Sequence, residues 1–299
     1  MALATGSCSG SGAPPTCDYG LAREESPPRP ILFGTGQATP PAGFTSKRTV
    51  DASVVVPTFQ ERDCIQQTLR SLDACLSLAP FSSEILVVDD NSPDGTARRA
   101  SLTFTSCPKR VFVRVGERGL ATAVLHGIGL AAGRACLVLD ADGSHPPDLA
   151  PDLIQVVLEG RAEMAIASRF SEGGETRDWP LTRKMISLAA ALAARPLTDV
   201  RDPMSGFFAF NRDILRRSGL SPLGYKIGLE ILARCRPDPV LEVPYVFSDR
   251  EVGESKLGSL QILLYLQHLS RLYRSQVSSR IHRSAGQFRR SRSRETDVE

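Results

Sequence analysis

A chain of 299 residues with 41% hydrophobic content suits one globular domain with ragged ends rather than two independent cores. Its formal net charge of +3 is too mild for a surface that tracks phosphates, so nucleic acid is excluded as the expected partner. Seven cysteines (Cys8, Cys17, Cys64, Cys75, Cys107, Cys136, Cys235) are scattered without a C-x-x-C pair, which predicts a reducing compartment and no zinc. The start lacks the blocks of a secretory signal, and no later stretch reaches the roughly 18 uninterrupted apolar residues of a spanning helix.

Residues 1–48 are rich in Gly, Pro, Ser and Ala without apolar periodicity, and such a segment buries too little surface to offset ordering entropy. Disorder is expected there. From Ala52 the text changes. Ser53–Val56, Glu84–Val88, Val111–Val113, Cys136–Leu139 and Met164–Ala167 are short apolar runs rich in β-branched residues, the pattern of fully buried strands. Between them lie amphipathic stretches of helix length, Cys64–Leu78, Leu120–Ala132 and Leu149–Leu158. This alternation predicts an α/β domain with a mostly parallel central sheet flanked by helices.

In such sheets ligands bind beyond the carboxyl ends of the strands. Those ends carry polar clusters here: Pro57 to Glu61, Asp89 to Gly95, Asp140 to His145, and Ser168-Arg169-Phe170. Taken alone, Asn91 to Gly95 is equally an ordinary turn, because Asx, Pro and Gly residues make turns for local reasons. Asp140 and Asp142 flank one residue, and carboxylates at that spacing past a strand can both turn towards Mg²⁺ or Mn²⁺, which prefer oxygen ligands and leave room for diphosphate oxygens. A solvated turn at Asp142-Gly143 is the alternative. His126, expected on a helix, and His145, beside two prolines, read as structural rather than catalytic.

The ordered motifs Pro57-Thr58-Phe59-Gln60-Glu61-Arg62, Val88 to Thr96, Asp140-Ala141-Asp142, Arg183 to Ser187, Asp202 to Phe208 and Gly253 to Gly258 resemble those of the dolichyl-phosphate mannosyltransferase family. The resemblance runs from Ser53 to Tyr273 and implies a GT-A fold of glycosyltransferase family 2, inverting transfer of mannose from GDP-mannose to dolichyl or polyprenyl phosphate, and a divalent metal. It implies that Pro57, Phe59, Glu61, Val88 and Asp90 line the guanosine pocket. Asp140, Ala141 and Asp142 would hold metal and diphosphate, Arg169, Arg250 and Lys256 the donor phosphates, and Arg183 and Ser187 the acceptor phosphate. Two positions depart from the family's pattern: Phe59 stands where many members have Tyr, and Ser144, a candidate metal ligand, where some have Gln.

The chemistry can also be argued directly. A phosphate monoester loses its second proton near pH ~6, so a lipid phosphate is already a charged nucleophile and no Ser-His or Cys-His pair is needed. What the reaction does require is neutralisation of the departing diphosphate and cations that bring two repelling phosphates into line. Glucose transfer by the same chemistry, or a non-catalytic subunit of the same fold, are the competing readings. Arg183 and Lys184 also suit a plain solvated helix face.

On this reading residues 49–257 form the transferase domain and 258–275 an amphipathic helix, with Leu260, Ile262 to Leu264, Leu266, Leu269 and Leu272 apolar and His268 among the polar positions. Core packing and a membrane-surface role stay equally open for that helix. The Arg-rich tail over 276–299 suits either disorder or attraction to anionic lipid. The resemblance implies peripheral attachment to the cytosolic face of the endoplasmic reticulum membrane in a eukaryote, assisted by small membrane-anchoring subunits.

Overall fold

A computed structural model describes residues 50–177, 179–220, 225–247 and 261–276. The first half alternates as expected: β1 (Ala52–Thr58), α1 (Arg62–Ser77), β2 (Ser83–Asp89), α2 (Thr96–Leu102), β3 (Lys109–Val113), α3 (Leu120–Leu130), β4 (Ala135–Val138), α4 (Ala150–Leu158) and β5 (Met164–Ser168). Then come β6 (Glu175–Thr176), α5 (Leu181–Ala194), β7 (Phe208–Asn211), α6 (Ile227–Cys235), β8 (Val240–Pro244), β9 (Val246–Phe247) and a last helix, α7, over residues 261–276.

The main sheet has the order β3-β2-β1-β4-β7-β5-β8. Its strands are parallel except β7, which runs antiparallel between β4 and β5. The sequence pattern gives no strand direction; Phe207 precedes this strand, and Phe208 and Phe210 lie on it as parts of the apolar core. All three are buried.

Because side chains alternate along a strand, each apolar run feeds two cores. Val54, Val56, Ile85, Val87 and Leu137 point to one face and pack under α1 and α4. Val55, Leu86, Val88, Cys136 and Val138 point to the other, under α3 and α6. Burying each such Val or Leu contributes about 1.5–3 kcal/mol, which is why the strands read as unbroken apolar runs. α3 lies so close to β1 that a Cβ at Gly127 would sit 2.5 Å from Val55 Cγ1. β3 departs from expectation: it is half-buried, not fully buried. As the edge strand it has one neighbour, and Lys109 and Arg110 give that edge the charge that discourages further pairing.

A third, smaller core joins α5, α6 and α7 through Ala194, Leu229, Ala233, Tyr265, Leu269 and Leu272. The Tyr265 hydroxyl donates to the Ala190 carbonyl (2.7 Å). His268, expected on the solvent-facing polar side, is instead buried, its Nε2 2.9 Å from the equally buried Glu230 of α6; Glu230 also pairs with Arg234 one turn on (2.9 Å). A buried carboxylate needs such partners, so the imidazole turns inward. Ile262, Leu263 and Leu266 are left exposed.

The extension over 1–48, the tail beyond residue 276, and the residues Cys8, Cys17, Arg250, Lys256 and Leu260 lie outside the described residues. Cys64, Cys75, Cys107, Cys136 and Cys235 are free thiols. Among the described residues no helix is long and apolar enough to cross a membrane.

Candidate functional site

The polar strand ends gather at one end of the sheet, because β1, β2, β3, β4 and β5 all point the same way. The first loop, Phe59 to Glu61, is zipped to the loop after β2. Gln60 N–H donates to Ser92 Oγ (2.9 Å), Glu61 N–H to Thr96 Oγ1 (3.0 Å) and Arg62 N–H to Asp94 Oδ2 (3.2 Å). Asp94 also accepts from the Thr96 backbone and hydroxyl (3.0 and 2.7 Å), and these bonds hold its carboxyl below the usual range against the opposing effect of burial. Asp89 accepts from Thr58 Oγ1 (2.9 Å) and from the Ser92 N–H and hydroxyl (2.8 and 2.6 Å). Asp89, Ser92 and Asp94 are therefore turn-builders, as the local reading of that segment allowed.

Asp90 differs. Its Oδ1 receives Arg114 Nε (2.7 Å) and Nη2 (2.5 Å), and its Oδ2 receives the Gly119 N–H (2.8 Å). Both side chains are buried. This clamp fixes the loop between β3 and α3 against the end of β2. Pro57 and Val88 face each other in the β1–β2 register with buried side chains, so what they offer a nucleotide is backbone. Phe59 is half-exposed at the mouth, with the Arg118 guanidinium 4.5 Å above its ring centroid.

After β4 the turn Asp140-Ala141-Asp142 is pinned twice. Ala141 is buried in the core under α1, and its carbonyl accepts from Thr68 Oγ1 of that helix (2.8 Å). Asp142 is buried, and its Oδ1 takes both the backbone N–H and the hydroxyl of Ser144 (3.0 and 2.6 Å). Ser144 thus spends its proton on orienting Asp142. The Asp140 N–H donates to His145 Nδ1 (3.1 Å). The Asp140 carboxylate remains 30% exposed, and a Cβ on Gly206 would stand 3.0 Å from its Oδ2; glycine there keeps the space around the carboxylate open. Two carboxylates flanking one residue, one of them partly exposed, suit a hard divalent cation that draws its other ligands from diphosphate and water. Among the described residues no group of three or more His, Cys, Asp or Glu side chains is arranged to hold a metal ion by itself, so an ion here would need the substrate to complete its shell.

His145 is stacked on Phe207 (5.1 Å). Burial pushes its pKa down, with the Asp140 and Asp142 charges pulling the other way and Arg169 and Lys226 adding to the depression. The acidic turn and both cations thus lie within electrostatic reach of one buried ring. Lys226, just before α6, donates to the Met204 carbonyl (2.9 Å). Burial lowers its pKa to about 8, helped by Arg169 and opposed by Asp202 and Asp140.

Arg169, at the end of β5, is held by Asp202. Its backbone N–H (3.0 Å) and Nε (2.7 Å) reach Oδ2 and its Nη2 reaches Oδ1 (2.7 Å). Burial disfavours the guanidinium charge, but the bonds and charge of Asp202 prevail and keep it protonated. Asp202 is placed in turn by Glu242 of β8, which accepts its N–H (3.0 Å). Arg183, in the first turn of α5, lies 4.2 Å above the Trp179 ring, and Arg169 lies 5.4 Å from the same ring. Trp179 packs edge-on to Phe247 (5.3 Å). Ser187 follows Arg183 by one turn, and both are half-buried while Leu181, Met185, Ile186, Leu188 and Leu192 are exposed.

The site therefore brings together Phe59, Glu61, Asp90, Asp140, Ala141, Asp142 and Ser144 on one side and Arg169, Arg183 and Ser187 on the other. Sequence reading gave no role to Arg114 or Lys226, nor to Asp202 as the partner of Arg169. Arg114 had a usable signal, being the first polar residue after the third strand. Asp202 opens one of the motifs, but its pairing with Arg169, 33 residues away, is not written in it, and nothing local marks Lys226.

A crevice at the carboxyl end of a mostly parallel sheet, with an acidic turn facing buried cations, defines a glycosyltransferase of the GT-A class. The family model for glycosyl transferase family 2 matches residues 53–219. Dolichol-phosphate mannosyltransferase of Pyrococcus furiosus is 39% identical over 224 residues, 74% of this chain but only 63% of that protein. The Saccharomyces cerevisiae protein of the same name is 37% identical over 236 residues, 75% of this chain and 88% of that one. Polyprenol monophosphomannose synthase of Mycolicibacterium smegmatis is 36% identical over 73% of this chain and 85% of its own length. Among solved structures, mannosyl-3-phosphoglycerate synthase from Rubrobacter xylanophilus aligns with TM-score 0.59 at 22% identity, over 77% of this chain and 75% of that chain. Glucosyl-3-phosphoglycerate synthase from Mycobacterium tuberculosis with Mn²⁺, UDP and phosphoglyceric acid aligns with TM-score 0.55 at 24% identity, over 75% and 80%. These two establish the fold. The chain belongs to glycosyl transferase family 2 and, within it, to the family of dolichol-phosphate mannosyltransferases.

Proposed function

We propose that this protein transfers mannose from GDP-mannose to dolichyl or another polyprenyl phosphate with inversion, giving a β-linked lipid-phosphate sugar. The observation that carries the lipid acceptor is the two-sided character of α5. Its inner side bears Arg183 and Ser187, whereas Leu181 (74% exposed) and Met185 (64%) lead an outer apolar side. α7, packed on α5 through Tyr265, adds exposed Ile262, Leu263 and Leu266. Contiguous exposed apolar surface of this kind marks an interaction site. A lipid lying in a membrane against that surface would deliver its phosphate to the Arg183 side of the same helix.

Within the site, Arg183 and Ser187 hold the acceptor phosphate and Arg169, positioned by Asp202, faces the donor phosphates through the edge of its fork that Asp202 does not use. Arg250 and Lys256 are assigned to the donor phosphates from the family resemblance alone. Asp140 and Asp142 would hold Mg²⁺ or Mn²⁺, which when bound supplies the positive charge that a leaving diphosphate requires. Ser144 orients Asp142 for that task. A phosphate oxygen of the lipid bonds to the anomeric carbon as the bond to the diphosphate breaks on the opposite face. No proton has to be removed, which accounts for a site whose histidine is buried and hydrogen-bonded to backbone.

The apolar side of α5 and α7 supports attachment to a membrane surface, which in a eukaryote is the cytosolic face of the endoplasmic reticulum, with small membrane-anchoring subunits as further partners. The test offers radiolabelled GDP-mannose, GDP-glucose and UDP-glucose separately with dolichyl phosphate and Mn²⁺, and extracts the lipid. Label entering the lipid from GDP-mannose alone is the expected result. Label from UDP-glucose but not from GDP-mannose would overturn the assignment.

A further inference from the structure

Phe59 and Arg118 come from distant parts of the chain and meet at the crevice mouth, the guanidinium 4.5 Å above the ring centroid. An exposed cation–π contact is weak, too weak to explain by itself why a side chain settles there. The position of Arg118 is set instead by its neighbours. Arg114 clamps Asp90 Oδ1, and the Gly119 N–H is held by Asp90 Oδ2. The short loop carrying Arg118 is thereby tied at both ends to one buried carboxylate. Arg118 is exposed, and no hydrogen bond or ion pair to it is found among the described residues, so its forked donors are available for a ligand.

Resting on the reading that the donor is a guanine nucleotide held beside Phe59 and Asp90, we propose that Arg118 is the residue that selects guanine. The base stacks on the Phe59 ring in the place the guanidinium now covers. Arg118, displaced sideways on its flexible stem, donates through its fork to the adjacent O6 and N7 acceptors of the base. That acceptor pair is the natural complement of a guanidinium. Uracil has a single carbonyl at the corresponding edge and no ring nitrogen acceptor beside it, so it engages half of the fork. The assignment also gives Phe59 a role that needs no hydroxyl: the ring provides the stacking face and Arg118 the polar recognition.

Calorimetric titration of GDP, UDP and 7-deazaguanosine diphosphate with Mn²⁺, on wild type, Arg118→Ala and Arg118→Lys, tests this. A good bidentate contact discriminates by about ten-fold or more. Wild type is expected to lose about that factor when N7 is replaced by carbon. Arg118→Ala should bind GDP more weakly by about ten-fold or more, weaken UDP by a distinctly smaller factor, and no longer distinguish GDP from its 7-deaza analogue. Arg118→Lys, which keeps the charge but not the fork, should behave like the alanine variant. Equal weakening of GDP and UDP, recovery by lysine, or a 7-deaza penalty that persists in Arg118→Ala would each sink the role of Arg118 and leave the guanine donor standing. Wild type binding UDP more tightly than GDP would overturn the donor reading and this inference with it.

Discussion

Replacing Asp202 by alanine separates what Arg169 does for the fold from what it does for a substrate. The Asp202 side chain is fully buried and that of Arg169 is 9% exposed, and three hydrogen bonds of 2.7–3.0 Å join them. Removing one member of such a pair leaves an uncompensated charge in the interior, which costs about 3–5 kcal/mol. That is a large part of the roughly 5–15 kcal/mol that holds a domain together. Substituting both partners with apolar residues of similar size is often neutral or stabilising, because no charge then has to be desolvated. Asp202→Ala should therefore unfold at distinctly lower urea concentration, while Arg169→Met with Asp202→Leu should recover most of the loss. The recovered double variant should still be inactive, since no guanidinium remains for the donor phosphates. Urea titration followed by tryptophan fluorescence, with label transfer to dolichyl phosphate measured in parallel, gives both readouts. An Asp202→Ala protein within 1 kcal/mol of wild type would refute the buried-pair account, and an active double variant would remove Arg169 from the chemistry.

Asp142→Asn should lower turnover by about 100-fold or more without shifting the melting temperature appreciably; full activity with Mn²⁺, or in excess chelator, would sink the metal assignment. Arg183→Ala should raise the KM for the lipid phosphate by about ten-fold or more, the worth of a charge-assisted bond, and leave GDP affinity unchanged. A large loss of nucleotide binding by calorimetry would place Arg183 in the other half of the site. Stability should fall as the pH drops below the ordinary histidine value of 6.5, because burial depresses the pKa of His145 and, with Arg114, that of His126. Below that value the unfolded chain binds protons the native state refuses, so unfolding gains. His145→Asn should flatten the slope of stability between pH 6.5 and 5; an unchanged slope in urea titrations at several pH values would show that His145 titrates as in the unfolded chain.

Much of this arrangement was legible because it is local. Period-two alternation in runs such as Val54–Val56 and Ile85–Val88 dictates which residues face which helix layer, and a polar residue after such a run can only be at a strand end. α2 was not legible: its seven residues bury only Thr96 and Ala100, too few for a periodic signal. α6 was hidden for the opposite reason, being buried at almost every position, so no polar face marks its period. Within the site the acidic turn is written in adjacent letters, but its supports are not. Thr68 on Ala141, Arg114 on Asp90 and Asp202 on Arg169 are contacts across the sheet that follow only from the strand order, and the reversal of β7 was itself unreadable. His268 shows the same limit. A histidine on an amphipathic helix reads as solvent-facing until the buried Glu230 opposite it is known.

The counter-charges explain how so much positive charge can be kept ready beside an acidic turn. Arg169, Arg183 and Lys226 would repel one another in a dry crevice, and a buried cation without a partner is costly. The fold answers each differently. Asp202 neutralises Arg169 outright, Trp179 offers Arg183 the negative face of its ring, and the Met204 carbonyl takes Lys226. Asp202 engages Nε and Nη2 of Arg169 and leaves Nη1 of the fork, and one carbonyl is a single partner for the three donors of an ammonium, so these cations are fixed in position before any ligand arrives. Groups fixed in this way need little reorganisation when charge moves from the sugar to the leaving diphosphate, which is where electrostatic catalysis gains most. Trp179 is the support most open to direct test, because its ring can be removed without removing a charge. Trp179→Leu should misplace Arg183 and raise the KM for the lipid phosphate, and Trp179→Phe should restore most of it. Acceptor kinetics that are the same in both variants and in wild type would show that Trp179 does not position Arg183.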